Sequence, residues 1–326
     1  MTTPTGERAG ESARHAGHPA MTVVIPAYGV TAMLPDAIES LMAQDRSDWR
    51  AIVIDDGDAR VAGRIAPYLA DPRIRLLQTD NRGLAAARNR AIAASTTPYV
   101  ALLDGDDMLE PDYVSSMIAA IEASPSIGFA TGDATYFGAD RVGKRFSAFC
   151  PQALPANLER VLSREFNVFG LVAMRREAIE EIGGFDISLP SSEDLDAWIR
   201  LLEAGWELAY VPRPLARYRR RAGQMSGDRP VMLRTSLAVI DKARARLAGR
   251  PEQVVAAAMC ATIEQDIAIE EAFQRVEKGE VRAGVADLVR LGVGTRSPRW
   301  RKALWLMGIA PFLAPLLLRL GKRVQA

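Results

Sequence analysis

The chain contains 326 residues, of which 48% are apolar, so it is long enough to bury a full core in one large domain or in two. Its 41 lysines and arginines nearly balance its 40 aspartates and glutamates, which argues against a dedicated nucleic-acid-binding protein. The two cysteines, Cys150 and Cys260, stand in no metal-binding spacing and give no disulfide framework, which favours a reducing compartment such as the cytoplasm.

The first 20 residues are polar and contain both histidines of the chain, His15 and His18. Because this segment lacks the apolar core of a signal peptide or anchor, we predict a disordered tail. The rest of the chain then has no histidine, which excludes a Ser-His-Asp or Cys-His site and argues against zinc. A general base must be a carboxylate or a lysine, and a bound metal must be a hard ion held by oxygen, such as Mg²⁺ or Mn²⁺.

From residue 21 onward, apolar runs alternate with segments of helical spacing. The predicted strands of the first half are MTVVIPAY, WRAIVIDDG, IRLLQTD and YVALLDGDD. The predicted helices between and after them are LPDAIESLMAQ, VAGRIAPYLA, GLAAARNRAIAAS and PDYVSSMIAAIEA. This alternation predicts a doubly wound α/β sheet of mostly parallel strands, with helices on both faces.

Beyond residue 126 the strand pattern continues and then stops. IGFATGDATYF and NVFGLVAMRR predict further strands, and SSEDLDAWIRLLEAG predicts a helix with acidic residues in its first turn. After WELAYV the strand signals end near residue 228, and the spacing that follows predicts a helical C-terminal extension.

Three of the predicted strands run into candidate site residues at the ends where ligands bind in such sheets. These residues are Pro26, Ala27 and Tyr28, then Asp55 and Asp56, then Asp104, Asp106 and Asp107. Aspartate and glycine also make ordinary turns. However, carboxylates packed this closely repel one another unless a cation shares their charge, and a divalent metal would be such a cation.

Three further charged residues have two readings each. Arg88, in NRGLAAARNRA, either supplies a guanidinium to an anionic ligand or lies on a solvated helix face, and the spacing favours neither. Glu193 and Asp194, in SSEDLDAW, either stabilise a helix N-terminus or provide a general base.

The ordered series VVIPAYG, VIDDG, NRGLAAARN, LLDGDD, GGFD, SEDLDAWIRL and YRRRAGQMS resembles the family 2 glycosyltransferases of GT-A fold, over residues 21–226. The resemblance implies an inverting enzyme that moves one sugar from a nucleotide-diphosphate sugar to a hydroxyl acceptor. The expected donor is a UDP-sugar. The expected setting is exopolysaccharide or cell-surface glycan assembly, with a glycan or lipid-linked glycan as acceptor. RSPRW at 296–300 resembles an element of processive synthases but lies too far beyond Asp194, so we expect non-processive transfer.

The same resemblance implies a role for each candidate residue. Pro26, Ala27 and Tyr28 are expected to lie against the nucleotide, with Arg88 near it. Asp55 or Asp56 is expected to contact the base or the ribose. Asp104 and Asp106 are expected to contact the ribose and, through Mn²⁺ or Mg²⁺ on Asp106, the diphosphate, while Asp107 supports the loop. Asp194 is the expected catalytic base, and Glu193 positions the acceptor or the loop. Arg221 stands where the family often has histidine, and an arginine there can hold the diphosphate directly.

Two alternatives to this function stay open on the sequence. A sugar-phosphate nucleotidylyltransferase would have a related fold, but it would require a glycine-rich basic loop after the first strand. The sequence there is PAYGVTAM, which is neither glycine-rich nor basic. A catalytically inactive, membrane-docked scaffold of the same fold is the other, and the presence of Asp104, Asp106 and Asp194 speaks against it.

We expect four parts in the chain. They are a tail (1–20), a catalytic domain (21–228, with a nucleotide-sugar half of about 21–108 and an acceptor half of about 109–228), a helical region (229–295) and a basic amphipathic helix (296–326). The apolar stretch from Ala303 to Leu318 is interrupted by Pro311 and Pro315 and is shorter than the roughly 20 residues of a membrane span. It predicts an interfacial helix at the inner face of the cell membrane, anchored by Trp300, or alternatively a helix packed on the catalytic domain.

Overall fold

The computed structural model describes residues 19–224, 227–296, 298–314 and 317–318. The predicted tail, apart from residues 19 and 20, and Pro315 lie outside these residues. The chain forms two compact units, of which one ends at Gly227 and the other begins at Asp228.

The first unit is built on one sheet. Its strands are β1 (Met21–Pro26), β2 (Trp49–Asp55), β3 (Ile74–Gln78), β4 (Tyr99–Leu102), β5 (Met108–Leu109), β6 (Ile127–Gly138), β7 (Ala173–Arg175) and β8 (Glu207–Arg220). They are ordered β3-β2-β1-β4-β7-β6-β8-β5. β1 pairs in parallel with β2 and β4, β2 with β3, and β6 with β8, whereas β7 runs antiparallel to β4 and β6, and β5 antiparallel to β8.

Helices connect these strands and form the second unit. In the first unit they are α1 (Leu34–Met42), α2 (Arg60–Ile65), α3 (Leu84–Ala93), α4 (Tyr113–Glu122), α5 (Leu158–Leu162), α6 (Arg176–Glu181) and α7 (Glu193–Glu203). In the second they are α8 (Arg229–Arg246), α9 (Glu252–Glu277), α10 (Val281–Arg290), α11 (Val293–Arg296) and α12 (Pro298–Ile309). Short 3₁₀ helices occur at Ala66–Ala70, Phe146–Ala148 and Pro311–Leu313.

The apolar runs of the sequence become strands that are covered on both faces. β1 is buried at all six positions and β4 at all four. Because successive residues of a strand point to opposite faces, Val23 and Ile25 share one core with α1 and α4, while α3 covers β1 and β2 with its own buried alanines. The predicted α/β fold, mostly parallel with a helical C-terminal extension, is confirmed, and the antiparallel β7 and β5 make the sheet a mixed one.

The second unit has a helical core of its own, and one prediction about it is wrong. Trp300 is buried there, with its ring centroid 5.1 Å from that of Phe273, and it packs with Leu304 and Met307. It fills space between helices and therefore does not anchor the chain at an interface. Trp305, five positions further on, is 62% exposed instead. Among the described residues, none of the helices has the length and apolar character needed to cross a membrane.

Candidate active site

The carboxyl ends of three neighbouring strands lie side by side at one edge of the sheet. β2, β1 and β4 are adjacent and parallel, with Val24 paired to both Ile52 and Leu102. The turn after β4 presses against the turn after β1 at Gly105, where a Cβ atom would lie 2.7 Å from the carbonyl oxygen of Pro26. Glycine is required there because no side chain fits between the two turns.

The first of these strand ends exposes one aromatic ring. Pro26 and Ala27 are buried, and the Ala27 N–H donates to the Ile54 carbonyl at 3.0 Å, so both belong to the sheet edge. Tyr28 is 58% exposed. Tyr28 is thus the residue of this turn whose side chain is open to a ligand.

The two aspartates after β2 order the loops around them. Asp55 Oδ1 accepts from the Gly57 and Asp58 N–H groups at 3.1 and 2.7 Å, and Oδ2 accepts from Gln78 Nε2 at 3.2 Å. Asp56 accepts from the backbone N–H groups that precede α3. Both carboxylates are buried, so a structural role is established for each, and a contact with a base or ribose stays a prediction.

Arg88 links this edge to the helix that carries the predicted base. Its side chain is buried, Nη1 donates to Glu193 Oε1 at 2.7 Å, and Nη2 donates to Asp104 Oδ1 at 2.8 Å. The guanidinium carbon lies 5.6 Å from the centroid of the Phe185 ring. Because its side chain is buried, Arg88 does not lie on a solvated helix face. The burial of its charge is tolerated since two carboxylates share it.

Glu193 and Asp194 form the first turn of α7, directly after a strained residue. Ser192 has a φ of 60°, in the left-handed region that residues other than glycine seldom adopt. Asp194 Oδ1 accepts from the Leu195 N–H at 2.7 Å, and Glu193 is buried against Arg88. Among the described residues, Asp194 is the member of the pair that has no arginine partner.

The pKa values of both carboxyls are raised. For Asp194, burial raises the pKa and outweighs the opposing effect of the Arg88 charge. For Glu193, burial again raises the pKa, Arg88 opposes it, and the neighbouring Asp194 adds to the increase. A carboxylate with a raised pKa is a stronger base, and no ion pair within the described part of the chain holds Asp194.

The turn that leads into α7 is fixed by side chains from two helices. Asn89 of α3 donates to the Phe185 carbonyl and accepts from the Phe185 N–H, both at 2.7 Å. Arg200 of α7 donates to the Ile182 and Gly184 carbonyls at 2.6 and 2.7 Å. The position of the predicted base relative to the carboxyl ends of the strands is therefore held by several bonds.

The acids after β4 are paired with arginines and with backbone N–H groups. Arg221 Nε donates to Asp106 Oδ2 at 2.8 Å, and the Arg219 N–H donates to Asp107 Oδ1 at 2.7 Å. Arg219 Nε also donates to the Asp106 carbonyl at 2.7 Å. Burial raises the pKa of Asp106 although Arg221 opposes it, and burial with the nearby charges of Asp104 and Asp106 raises that of Asp107 well above its ordinary value.

The chain matches the family model described as glycosyl transferase family 2 over residues 22–183. This range contains the three strand ends, Arg88 and the acids at 104–107. The chain belongs to the family 2 glycosyltransferases. The prediction of a glycosyltransferase is confirmed at the level of this family.

A curated relative from Rhizobium meliloti (strain 1021), the succinoglycan biosynthesis protein ExoO, is 32% identical over 219 residues. The match covers 64% of this chain and 63% of ExoO, so the chain spans less than two thirds of the length of that relative. ExoO is named for the synthesis of a polysaccharide.

Two solved structures have the same fold. Residues 1–349 of S. aureus TarS in complex with UDP-GlcNAc match with a TM-score of 0.61 and 16% identity, over 94% of this chain and 88% of that one. The mannosyltransferase PcManGT from Pyrobaculum calidifontis, in complex with GDP-Man and Mn²⁺, matches with a TM-score of 0.58, 16% identity and the same coverages. These likenesses confirm the predicted GT-A fold.

The acids of this member of the family do not form a metal-binding set. Among residues 19–224, 227–296, 298–314 and 317–318, no three Asp, Glu, His or Cys side chains lie close enough together to hold a metal ion. Asp106, the predicted ligand, is paired with Arg221, and Asp104 is paired with Arg88. The cations that share the clustered negative charge are arginines, so the charge argument for a metal no longer holds and these residues do not fit one.

Sequence reasoning missed the function of Arg219. This side chain joins three elements, because its Nη2 also donates to Asp36 of α1 at 2.6 Å. The run YRRR was visible as a basic cluster, but nothing in the local pattern says which arginine meets which acid. Only the pairing of β5 with β8, which brings Met108 opposite Arg217, places the end of the run beside the acids.

Proposed function

We propose that the chain is an inverting transferase that moves a single sugar from a nucleotide-diphosphate sugar to a hydroxyl acceptor. The observation that supports this most is the double ion pair of Arg88 with Asp104 and Glu193. It places the first turn of α7, with Asp194, next to the strand edge where a nucleotide binds in sheets of this type. A base and a nucleotide site are thereby joined in one fixed arrangement.

In the proposed reaction Asp194 acts as the general base. It accepts the proton of the acceptor hydroxyl while that oxygen forms a bond to the anomeric carbon. The bond from this carbon to the diphosphate oxygen breaks, and the diphosphate leaves with the electron pair. Attack from the side opposite to the leaving group inverts the anomeric centre. A free Asp has a pKa of about 3.9, so the raised pKa of Asp194 makes it better suited to this proton transfer.

The other site residues would bind and position the reactants. Tyr28 offers an exposed ring at the nucleotide edge, and the aspartates after β2, Asp55 and Asp56, order the loops there. Glu193, held by Arg88, positions the start of α7. Stabilising the negative charge on the departing diphosphate is the largest electrostatic requirement of the step, and it needs a cationic group.

The donor is proposed to be a UDP-sugar, and the acceptor a glycan or a lipid-linked glycan. TarS has been crystallised with UDP-GlcNAc and the archaeal mannosyltransferase with GDP-Man, which supports a nucleotide-sugar donor but leaves the base to be measured. The name of ExoO supports a setting in exopolysaccharide assembly.

We propose that the second unit contacts an anionic phospholipid surface. Arg301, Trp305 and Ile309 follow one another at four-residue intervals on α12, and Phe312 lies in the short 3₁₀ helix that comes after it. All four residues are exposed, Phe312 by 81%. α12 contains no acidic residue, so its charge complements anionic lipid. This contact would place the enzyme at the inner face of the cell membrane, near a lipid-linked acceptor.

The experiment that tests the proposed function is a donor scan. UDP-, GDP- and TDP-sugars are incubated with the full chain, and release of the nucleotide diphosphate is measured with and without a polysaccharide acceptor. We expect one nucleotide class to be turned over at least about tenfold faster than the others, since the site selects a base. Binding of a nucleotide without turnover of any donor would contradict the proposal and support the scaffold alternative.

A further inference from the structure

The carboxylate at the predicted metal position already has a cation. Asp106 is buried, and its Oδ2 accepts from Arg221 Nε at 2.8 Å. The two residues are 115 positions apart in the sequence and are brought together by the end of β8. This is an ion pair between a buried acid and an arginine at the very edge that the nucleotide is proposed to occupy.

Arg221 retains capacity for a second anion. Among the described residues its guanidinium uses only Nε, on Asp106, and its side chain is 31% exposed. No described residue therefore uses its two Nη groups. A guanidinium with two free N–H-bearing nitrogens matches the paired oxygens of a phosphate group.

Neighbouring arginines of the same run are already committed. Arg219 is tied to Asp36, Asp106 and Asp107, and Arg220 Nε is paired with Asp140 at 3.0 Å. Arg88 is shared between two carboxylates. Arg221 is thus the arginine of this cluster with the most open donors.

A metal ion on Asp106 Oδ2 would have to displace the Arg221 Nε donor. It would then stand beside the displaced guanidinium, and the described part of the chain holds no group of three Asp, Glu, His or Cys side chains that could bind it there. Repulsion between the two cations disfavours this arrangement.

We infer that Arg221 supplies to the sugar-nucleotide diphosphate the positive charge that a bound Mn²⁺ would otherwise supply, so that binding and transfer do not require a divalent ion. The inference rests on the proposed function. Asp106 fixes the guanidinium, and its two Nη groups donate to the diphosphate. When the bond to the anomeric carbon breaks, the electron pair goes to a diphosphate oxygen that these N–H groups face, while the acceptor proton goes to Asp194.

The test is the affinity of the full chain for UDP, and for GDP in parallel, measured by calorimetry in EDTA and in Mn²⁺. For the wild type we expect affinities that differ by less than about threefold between the two conditions, because the cation belongs to the protein. Arg221→Gln should bind at least about tenfold more weakly in both, as it loses a charge-assisted pair of donors. Arg221→His should be equally weak in EDTA and should recover part of the loss in Mn²⁺, since Asp106 and the new imidazole can then share the metal.

Arg213→Gln is the matched control. Arg213 lies on β8, which ends directly before Arg221, and forms an exposed ion pair with Asp112, which contributes little, so this variant loses the same charge without touching Asp106. It should bind UDP as the wild type does.

The outcomes separate the two proposals. A wild type that binds nucleotide only with Mn²⁺ overturns the role of Arg221 and leaves the proposed function standing. A wild type that binds neither nucleotide in either condition overturns both. The wild-type comparison requires no variant to fold, and the melting temperature of each variant reports whether a lost affinity is a lost fold.

Discussion

The guanidinium of Arg88 donates to Glu193 Oε1 at 2.7 Å, across 105 residues of sequence. The other side of the same guanidinium holds Asp104, so one side chain joins α3, α7 and the turn after β4. This arginine fixes the position of both carboxylates. It also makes the site depend on a buried charge.

Replacing Arg88 by Gln should therefore destabilise the first unit strongly. The change leaves Glu193 buried without its cation, and we expect the free energy of unfolding to fall by roughly 3–5 kcal/mol. The measurement is the midpoint of urea denaturation. Arg90→Gln is the control, because Arg90 is exposed on the same helix and should change stability by no more than about 0.5 kcal/mol. Equal midpoints for the two variants would refute the importance of the buried pair.

The pH dependence of turnover should follow the carboxyl of Asp194. A base works only when ionised, so turnover should fall as the pH drops through its pKa, and burial places that pKa above the ordinary Asp value of about 3.9. Because the folded-state pKa is the higher one, protonation of this group in that range favours the folded state, and its titration does not unfold the protein. The acidic limb should appear in kcat while nucleotide affinity, measured at the same pH values, stays level. A kcat that is constant down to pH ~4 would exclude Asp194 as the base.

Gly105 should tolerate no side chain. A Cβ atom there would lie 2.7 Å from the Pro26 carbonyl oxygen and 2.8 Å from Leu34 Cδ2, so Gly105→Ala should lower stability by roughly 1–3 kcal/mol and disturb the acids on either side. Gly63→Ala is the matched control. Gly63 lies within α2, with open space around its Cα, and alanine there should be neutral or should stabilise by up to about 1 kcal/mol. If thermal melting ranked the two variants in the opposite order, the close approach of the two turns would be disproved.

The exposed side chains of α12 and of the 3₁₀ helix after it predict lipid binding. The double variant Trp305→Ser, Phe312→Ser should bind vesicles of phosphatidylglycerol and phosphatidylcholine at least about tenfold more weakly than the wild type, because two aromatic side chains lose their contact with the interface. Val254→Ser, Val289→Ser removes two equally exposed apolar residues from other helices of the unit and should leave binding unchanged. Flotation that shows both variants bound alike, or the wild type bound equally to phosphatidylcholine alone, would contradict the proposed surface.

The strands, the edge of the sheet and the acids at its end are local features, and the sequence predicts them for that reason. Runs such as MTVVIP are almost wholly apolar because helices cover both faces, and this can be recognised without knowing the partner. The antiparallel insertion of β7 between β4 and β6 depends on long connections and could not be inferred from periodicity.

The pairing of charges is not local, and there the sequence was a poor guide. The clustered acids correctly indicated that a cation was needed, but a metal and an arginine satisfy that need equally well. The Arg221–Asp106 pair decides the matter only after β8 has been placed. Trp300 and Trp305 show the same limit, since both stand in one basic, apolar stretch and only the packing of α9 against α12 determines which of them is buried.

The most direct test of the account is a comparison of Asp194→Asn with the wild type on the donor selected by the scan. Asparagine keeps the shape of the side chain and an oxygen for the Leu195 N–H, but it cannot accept the acceptor proton. We predict an unchanged affinity for the nucleotide and a kcat for sugar transfer that falls by about 10²–10⁴-fold. A variant that transfers sugar at the wild-type rate would contradict the assignment of Asp194 as the catalytic base.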